Sequence, residues 1–233
     1  MTPGAAEGKA ESLVTPATLQ VDTPRASDIA MRAFDILVAA VLLIVLSPLL
    51  LAVAVMVRLD SRGPAIFRQE RVGRGLKPFQ VAKFRTMRQG VPADPHRAHV
   101  EQMIREEDDA AGTPRPMMKL QADPRITKVG GFLRRSSIDE LPQLWNVLRG
   151  EMSLVGPRPP IQYEVDAYPA RAFRRFAVRP GLTGLWQVCG RSLVTFNEMI
   201  ELDTEYVARR SLLLNLKILV LTIPTVLHGK GAE

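Results

Sequence analysis

The stretch Arg134-Arg135-Ser136-Ser137-Ile138-Asp139-Glu140-Leu141-Pro142-Gln143 gathers the groups best able to do chemistry. Two adjacent arginines run into two adjacent carboxylates. Next comes the apolar spacing Leu141, Leu144, Trp145, Leu148, which reads as a helix stopped at Gly150. The structural use of such a pair is capping. Ser137-x-x-Glu140 has the form of a capping box, and acids favour a helix start. Pro142 separates two placements. With Ser137 as N-cap, the proline falls at the fifth helical position, where its missing N–H matters. With Asp139 as N-cap, it falls in the first turn, where that N–H is an orphan anyway. The second placement is the expectation. It sets Asp139 among free backbone N–H groups, a position that also binds phosphate. A carboxylate held there with Mg²⁺ could attack a phosphoryl group while arginines neutralise the developing charge. Acid pairs at helix starts are common, so spacing alone favours capping over catalysis.

Two other stretches carry chemical potential. Arg158 in Gly-Pro-Arg-Pro-Pro is stiffened by proline on both sides, which suits bidentate phosphate recognition. Its structural alternative is an ion pair with a carboxylate such as Glu151. Arg179 to Arg191 mixes glycines, polar groups and Trp186. It reads equally as a nucleotide-pocket lining or as a turn-rich core connection.

Composition excludes several classes. The chain has 233 residues, enough for one domain with an anchor and a tail. One cysteine, Cys189, excludes an internal disulfide framework and a Cys-cluster metal site. His96, His99 and His228 are too scattered for a convincing zinc site. There is no G-x-G-x-x-G, no Walker A sequence and no Asp-x-Asp pair, so Rossmann and P-loop chemistry are not expected. The net charge of +7 favours anionic partners. The basic residues cluster beside an apolar segment and no nucleic-acid motif is present, so nucleic acid is not an expected partner.

Elements must position these groups, and the apolar segment dominates. From Ile36 to Val57 only Ser47 and Pro48 interrupt an apolar run of 22 residues. A straight helix of that length spans ~33 Å, enough to cross a bilayer core. Yet proline bends a helix in mid-run, and arginines flank both ends. Arg25 and Arg32 precede it; Arg58, Arg62 and Arg68 follow it. Both ends on the cytoplasmic side would mean a re-entrant segment, and the residues alone leave re-entrant and spanning forms open. Arg62 to Arg88 holds eight basic residues against Glu70 alone, a patch suited to anionic headgroups. Alternation around Ala65-Ile66-Phe67 and Phe79-Gln80-Val81-Ala82, with Gly73-Arg74-Gly75 between, predicts a β-hairpin. Further helices are expected at roughly Arg97–Asp109 and Phe196–Tyr206, with a loop at 110–114. The apolar stretch Ser211–His228 is expected as an interfacial or buried helix. Residues 1–27 read as a disordered tail.

Taken together, these stretches resemble the bacterial sugar transferase family, the single-domain polyprenyl-phosphate phosphoglycosyl transferases of the exopolysaccharide-initiating type. The motifs follow in the family's order: the apolar run with Ser47-Pro48, Gly63 to Gly73, Lys83-Phe84-Arg85-Thr86-Met87, Asp123-Pro124-Arg125-Ile126-Thr127, Ser137 to Gln143, Met152 to Pro159, and Arg179 to Gly184. Each is weak alone, and the set is highly specific.

The resemblance implies sugar-1-phosphate transfer from a UDP-sugar to undecaprenyl phosphate with release of UMP, through a covalent phosphosugar on Asp139. Mg²⁺ would bind at Asp139, and Glu140 would assist with metal or proton handling. Lys83, Arg85, Arg134, Gln143, Arg158 and Arg191 would be substrate-binding, and the Ser47-Pro48 break would make a re-entrant membrane helix. The implied fold is α+β and mainly helical. It places a tail at 1–27, a re-entrant helix at 28–58, and a cytosolic catalytic domain at 59–233 with a short hairpin and amphipathic interfacial helices. Implied partners are membrane lipids, downstream glycosyltransferases and a second copy as a homodimer; the implied location is the bacterial inner membrane, catalytic face to the cytoplasm. A membrane-anchored, non-catalytic scaffold is the rival from another class.

Overall fold

Apolar continuity and one proline shape the N-terminal helices. The computed structural model describes residues 26–88, 125–190 and 194–227. Helix α1 (Ala26–Val45) and helix α2 (Ser47–Asp60) meet at Leu46 and are bent by 63°. The break costs little because Pro48 stands in the first turn of α2, where its missing N–H is not needed. Ser47 Oγ donates to the Ile44 carbonyl at 2.7 Å, closing the last turn of α1. No single described helix is long and apolar enough to cross a membrane; the bent pair passes that test only together. Its outer face is bare: Leu37 is 64% exposed, Ile44 74% and Leu51 68%. The expected boundaries 28–58 lie inside this pair, and Ala26 and Ser27, placed in the tail, open α1 instead. The rest of the tail, the helix expected at 97–109 and the loop at 110–114 lie outside the described residues.

Polar residues of α1 bind it to the globular part. Arg32 donates to the Val147 and Leu148 carbonyls at 2.7 and 3.0 Å. Those are last-turn carbonyls of helix α4 (Gln143–Arg149); that of Val147 also accepts from the Gly150 amide at 3.0 Å. Asp35 is buried and accepts from Ser153 Oγ at 2.7 Å and from the Leu154 amide at 3.0 Å.

The expected hairpin forms. Strand β1 (Ile66–Val72) pairs antiparallel with strand β2 (Pro78–Phe84), from Ile66↔Phe84 to Val72↔Pro78. Gly75 takes φ 65° at the tip, a backbone state glycine adopts without strain. After the hairpin comes helix α3 (Lys128–Arg135), whose start is capped by Thr127. A methyl group on Gly130 would lie 2.1 Å from the Thr86 carbonyl oxygen, so glycine lets α3 press on the chain leaving β2.

Helix α4 ends at Gly150, with φ 81°, as its spacing predicts. Strand β3 (Ser153–Val155) then pairs in parallel with strand β4 (Gly181–Thr183). Helix α5 (Gln162–Asp166) and a 3₁₀ segment (Ala170–Ala177) fill the connection between them. Helix α6 (Leu185–Cys189) leads to helix α7 (Phe196–Arg209), which starts with a Thr195–Glu198 capping box. Helix α8 (Leu212–Leu227) lies against the core through Asn215 and Ile218, while Leu213, Val220 and Ile223 face outward at 78%, 65% and 60% exposure. Its two faces therefore do different work.

One charged pair sits inside the core. Arg175 and Asp203 meet at 2.6 Å, with side chains 2% and 1% exposed, beside Phe173, Phe176 and Phe196. Burial raises the Asp203 carboxyl to about 6, with Arg175 pulling the other way. Removing one partner of such a pair strands the other charge in the core. Asp203→Ala is expected to lower unfolding free energy by about 3–5 kcal/mol, read by denaturant titration in detergent. A loss under about 1 kcal/mol would contradict the pair's structural role.

Candidate active site

The turn that carries the paired carboxylates is not the helix start expected of it. Ile138–Glu140 forms a separate 3₁₀ turn, and α4 begins only at Gln143 with Pro142 as its N-cap. Asp139 is therefore in the middle of a tight turn, not at an N-cap. Leu141 keeps helical dihedrals, at φ −55° and ψ −34°; the split comes from Pro142, which lacks the N–H that an α-helix would place on the Ile138 carbonyl, so the Leu141 N–H takes that carbonyl in a 3₁₀ bond. The Ser137-x-x-Glu140 capping box does not form either. Ser137 makes no side-chain cap and stands at φ 56°, in the left-handed region that costs a serine about 1 kcal/mol or more. That strained residue redirects the chain out of α3 and turns the carboxylates toward β2. Asp139 is left 9% exposed.

Lys83 on β2 meets this turn. Its ammonium reaches Glu140 Oε1 at 2.7 Å, with both side chains about a third exposed (29% and 35%). Fifty-seven residues separate the two in sequence. Only the packing of the hairpin against the 3₁₀ turn brings them together. Gln143 opens α4 and is buried. Arg134 occupies the last turn of α3, half-buried, just ahead of Ser137.

Arg158 follows β3 in the Gly-Pro-Arg-Pro-Pro loop. Backbone approach is very close here: a methyl group on Gly181 would stand 2.1 Å from the Gly156 nitrogen. Two facing glycines thus set the loop's root. Arg158 Nη1 lies 3.5 Å from Glu164 Oε2, and its side chain keeps 34% of its surface exposed. Glu151, the partner considered from sequence, instead contacts Asn146 and Arg149. Beneath the loop, Arg175 donates to the Arg158 carbonyl at 3.1 Å and to the Tyr168 hydroxyl at 2.8 Å. Arg71 on β1 donates to the Pro159 carbonyl at 3.0 Å.

The electrostatics tie loop and turn together. Burial, then the neighbouring Arg158, lowers the Arg71 guanidinium to about 10, while Glu164, Tyr163 and Glu140 oppose that fall. Burial works against the charge on Arg158 too, but Glu164, Tyr168 and Glu140 outweigh it and hold its pKa above the ordinary value. Burial also opposes ionisation of Glu164; Arg158 and Arg71 overcome it, so the carboxyl titrates below the usual range. Glu140 thus acts on both arginines, and the Asp139–Glu140 turn and the Arg158 loop share one electrostatic field.

One expected site residue among those described falls elsewhere. Arg85 is 3% exposed and donates to the carbonyls of Val57, Ser61 and Pro64. Its guanidinium closes the C-terminal end of α2 and fixes that helix to the chain leaving β2, a positioning contact. Arg191 lies outside the described residues. Sequence reasoning singled out neither Arg71 nor Glu164, which flank Arg158 from two different elements.

Mg²⁺ fits the donors at the turn. No cluster of three or more His, Cys, Asp or Glu side chains exists among the described residues, so no all-protein cage is available. This cation does not require one. It takes one or two carboxylates and completes its shell with water and substrate phosphates. Asp139 would supply one such carboxylate; Glu140, next in sequence, is engaged by Lys83 at 2.7 Å.

Comparison with known proteins agrees with this architecture. Residues 26–229 match the family model described as bacterial sugar transferase. The exopolysaccharide production protein ExoY of Rhizobium meliloti is 41% identical over 203 residues, covering 87% of this chain and 88% of ExoY. The UDP-glucose:undecaprenyl-phosphate glucose-1-phosphate transferase of Caulobacter vibrioides is 41% identical over 215 residues, covering 89% and 73%. The undecaprenyl-phosphate galactose phosphotransferase of Salmonella typhimurium is 39% identical over 208 residues, covering 89% of this chain but only 42% of that longer protein. The match begins where α1 begins and runs through α8, so the bent helix pair, the hairpin, the carboxylate turn and the arginine loop form one unit, and the chain belongs to the bacterial sugar transferase family.

Proposed function

We propose that this chain transfers a sugar 1-phosphate from a UDP-sugar to undecaprenyl phosphate, releases UMP, and so takes the first membrane step of exopolysaccharide synthesis. The reaction follows from the family and from relatives such as ExoY and the Caulobacter transferase. One observation carries the assignment of roles: the nearly buried Asp139 stands in a turn whose next residue, Glu140, is held by Lys83 at 2.7 Å.

In the first half-reaction a carboxylate oxygen of Asp139 attacks the phosphorus that bears the sugar. The bond from that phosphorus to the bridging oxygen breaks, and its electron pair leaves with UMP. In the second, a phosphate oxygen of the lipid attacks the same phosphorus, the bond to Asp139 breaks, and the carboxylate is restored. A soluble donor and a lipid acceptor thus use one site in turn. Arg158 pairs with the donor's phosphates through its exposed edge, with Arg71 and Glu164 fixing its orientation. Lys83 holds Glu140 and adds positive charge beside the phosphates. Arg134 and Gln143 border the same turn, and Arg191 completes the substrate-binding set. Asp139 would hold Mg²⁺, which would supply Lewis-acid neutralisation of phosphate charge.

The bent pair α1–α2 enters and leaves the bilayer by its cytoplasmic face in this reading, which keeps the catalytic part on that side. The bare apolar faces of α1, α2 and α8 support it, as do the arginines on both flanks.

In nanodiscs with undecaprenyl phosphate and a panel of UDP-sugars, one donor is expected to yield lipid-dependent UMP. Asp139→Asn is expected to lower kcat by about 10³-fold or more with donor binding retained, whereas a scaffold would show no release from the parent protein. Chelation with EDTA should stop UMP release, and added Mg²⁺ should restore it; undiminished turnover in EDTA would remove the metal from the account. Cysteines placed singly at Ser27 and Ser61, with Cys189 replaced by serine, should both label from the cytoplasmic side. Labelling of the two from opposite sides would establish a spanning helix.

A further inference from the structure

The geometry points to a second anion site, remote from Asp139: the cleft at the foot of α1 binds the phosphate of an anionic phospholipid. This goes beyond the transfer reaction and does not depend on turnover. The cleft encloses about 420 Å³ between α1, the hairpin tip, β3 and α7. Arg32, Arg74, Arg179 and Arg210 line it, against only Asp28 and Asp35.

The acids are already engaged. Asp35 accepts from Ser153 and Leu154, and Asp28 pairs with Arg210 at 3.1 Å. Arg32 donates to the end of α4, and Arg179 Nε donates to the Gly150 carbonyl at 2.8 Å. The guanidinium of Arg74 makes no hydrogen bond or ion pair among the described residues. Burial, then Arg179 and Arg210, lowers the Arg74 pKa; burial, then Arg32, lowers that of Arg179. Arg74 thus feels Arg179 and Arg210 as like charges, and Arg179 feels Arg32 and Arg210. An anion seated among them reverses that repulsion.

The walls indicate which anion. Ile29, Met31 and Ile36 line the same cleft, and Ile29 is 66% exposed. From there a bare apolar stripe runs along α1 through Leu37, Val41 and Ile44, at 64%, 50% and 74% exposure. Cations at one end of an apolar stripe suit a phosphate that carries acyl chains, not a free phosphate. The cleft is also distinct from the carboxylate turn. Lys83 pairs with Phe67, five residues along the hairpin from the Val72–Pro78 pair at its tip. At ~3.4 Å per residue that is ~17 Å.

The test is native mass spectrometry of the full chain in neutral-detergent micelles, with phosphatidylglycerol or phosphatidylcholine titrated in. The parent protein should retain one phosphatidylglycerol in preference to phosphatidylcholine. Arg74→Gln should reduce that retention about fivefold, and Arg74→Glu further, while Arg68→Gln, which removes the same charge from mid-hairpin, leaves it intact. Equal losses in Arg74→Gln and Arg68→Gln would overturn the site, since only general charge attraction would remain. Displacement of phosphatidylglycerol by equimolar inorganic phosphate would overturn the lipid assignment. A raised KM for undecaprenyl phosphate in Arg74→Gln, measured without phosphatidylglycerol, would give the cleft to the acceptor and overturn it as well.

Discussion

Arginines that stand together inside a protein need carboxylates between them, and here that constraint organises the whole catalytic half. Arg71, Arg158 and Arg175 converge beneath one proline-rich loop, and Glu164 and Asp203 hold them there. Each arginine comes from a different element: the hairpin, the loop after β3 and the 3₁₀ segment before β4. The charges therefore fix tertiary structure as well as local geometry. An unpaired buried guanidinium costs several kcal/mol, so the loop position is coupled to the position of α5 and α7. Arg158 alone of the three keeps a third of its side chain open, at the end of this chain of contacts.

The same logic extends to the membrane side. Arg32 and Asp35 are polar residues on a helix that is otherwise strongly apolar, and both face inward. Arg85 closes the end of α2 from the opposite side. The helix pair is thus clamped at both arms by charged side chains on backbone groups. In the proposed function such a clamp would hold the carboxylate turn at a fixed height above the bilayer. Precise placement of reacting groups is worth far more than one added contact.

Much of this was legible in the sequence. The hairpin follows from alternation, the end of α4 from Gly150, and the bend of the N-terminal pair from Ser47-Pro48. All three rest on local rules that tertiary packing had no reason to overrule. The carboxylate turn departs from the N-cap that Pro142 suggests for Asp139, because the same residue order serves helix starts and separate 3₁₀ turns. Only the backbone at Ser137, with φ 56°, distinguishes them. The resemblance groups Arg85 with Lys83, and strand spacing would set the two on one face, yet Arg85 lies just past the end of β2 and puts its guanidinium on the carbonyls of Val57 and Ser61, while Lys83 meets Glu140. Asp203 carried a signal that went unused. It sits at helical spacing from Phe196, Met199, Ile200 and Tyr206, so it is a charge on an apolar face. Its partner Arg175 lies 28 residues earlier, where no local rule would find it.

The central claim is that Asp139 becomes covalently linked to the phosphosugar. The most direct measurement is intact and peptide mass spectrometry of protein quenched after mixing with its UDP-sugar in the absence of lipid acceptor. The account predicts a mass increase equal to one sugar phosphate, mapped to Asp139 and discharged on adding undecaprenyl phosphate. A competent enzyme that releases UMP only when both substrates are present, with no adduct on Asp139 at any time, would contradict it and indicate direct transfer between the substrates.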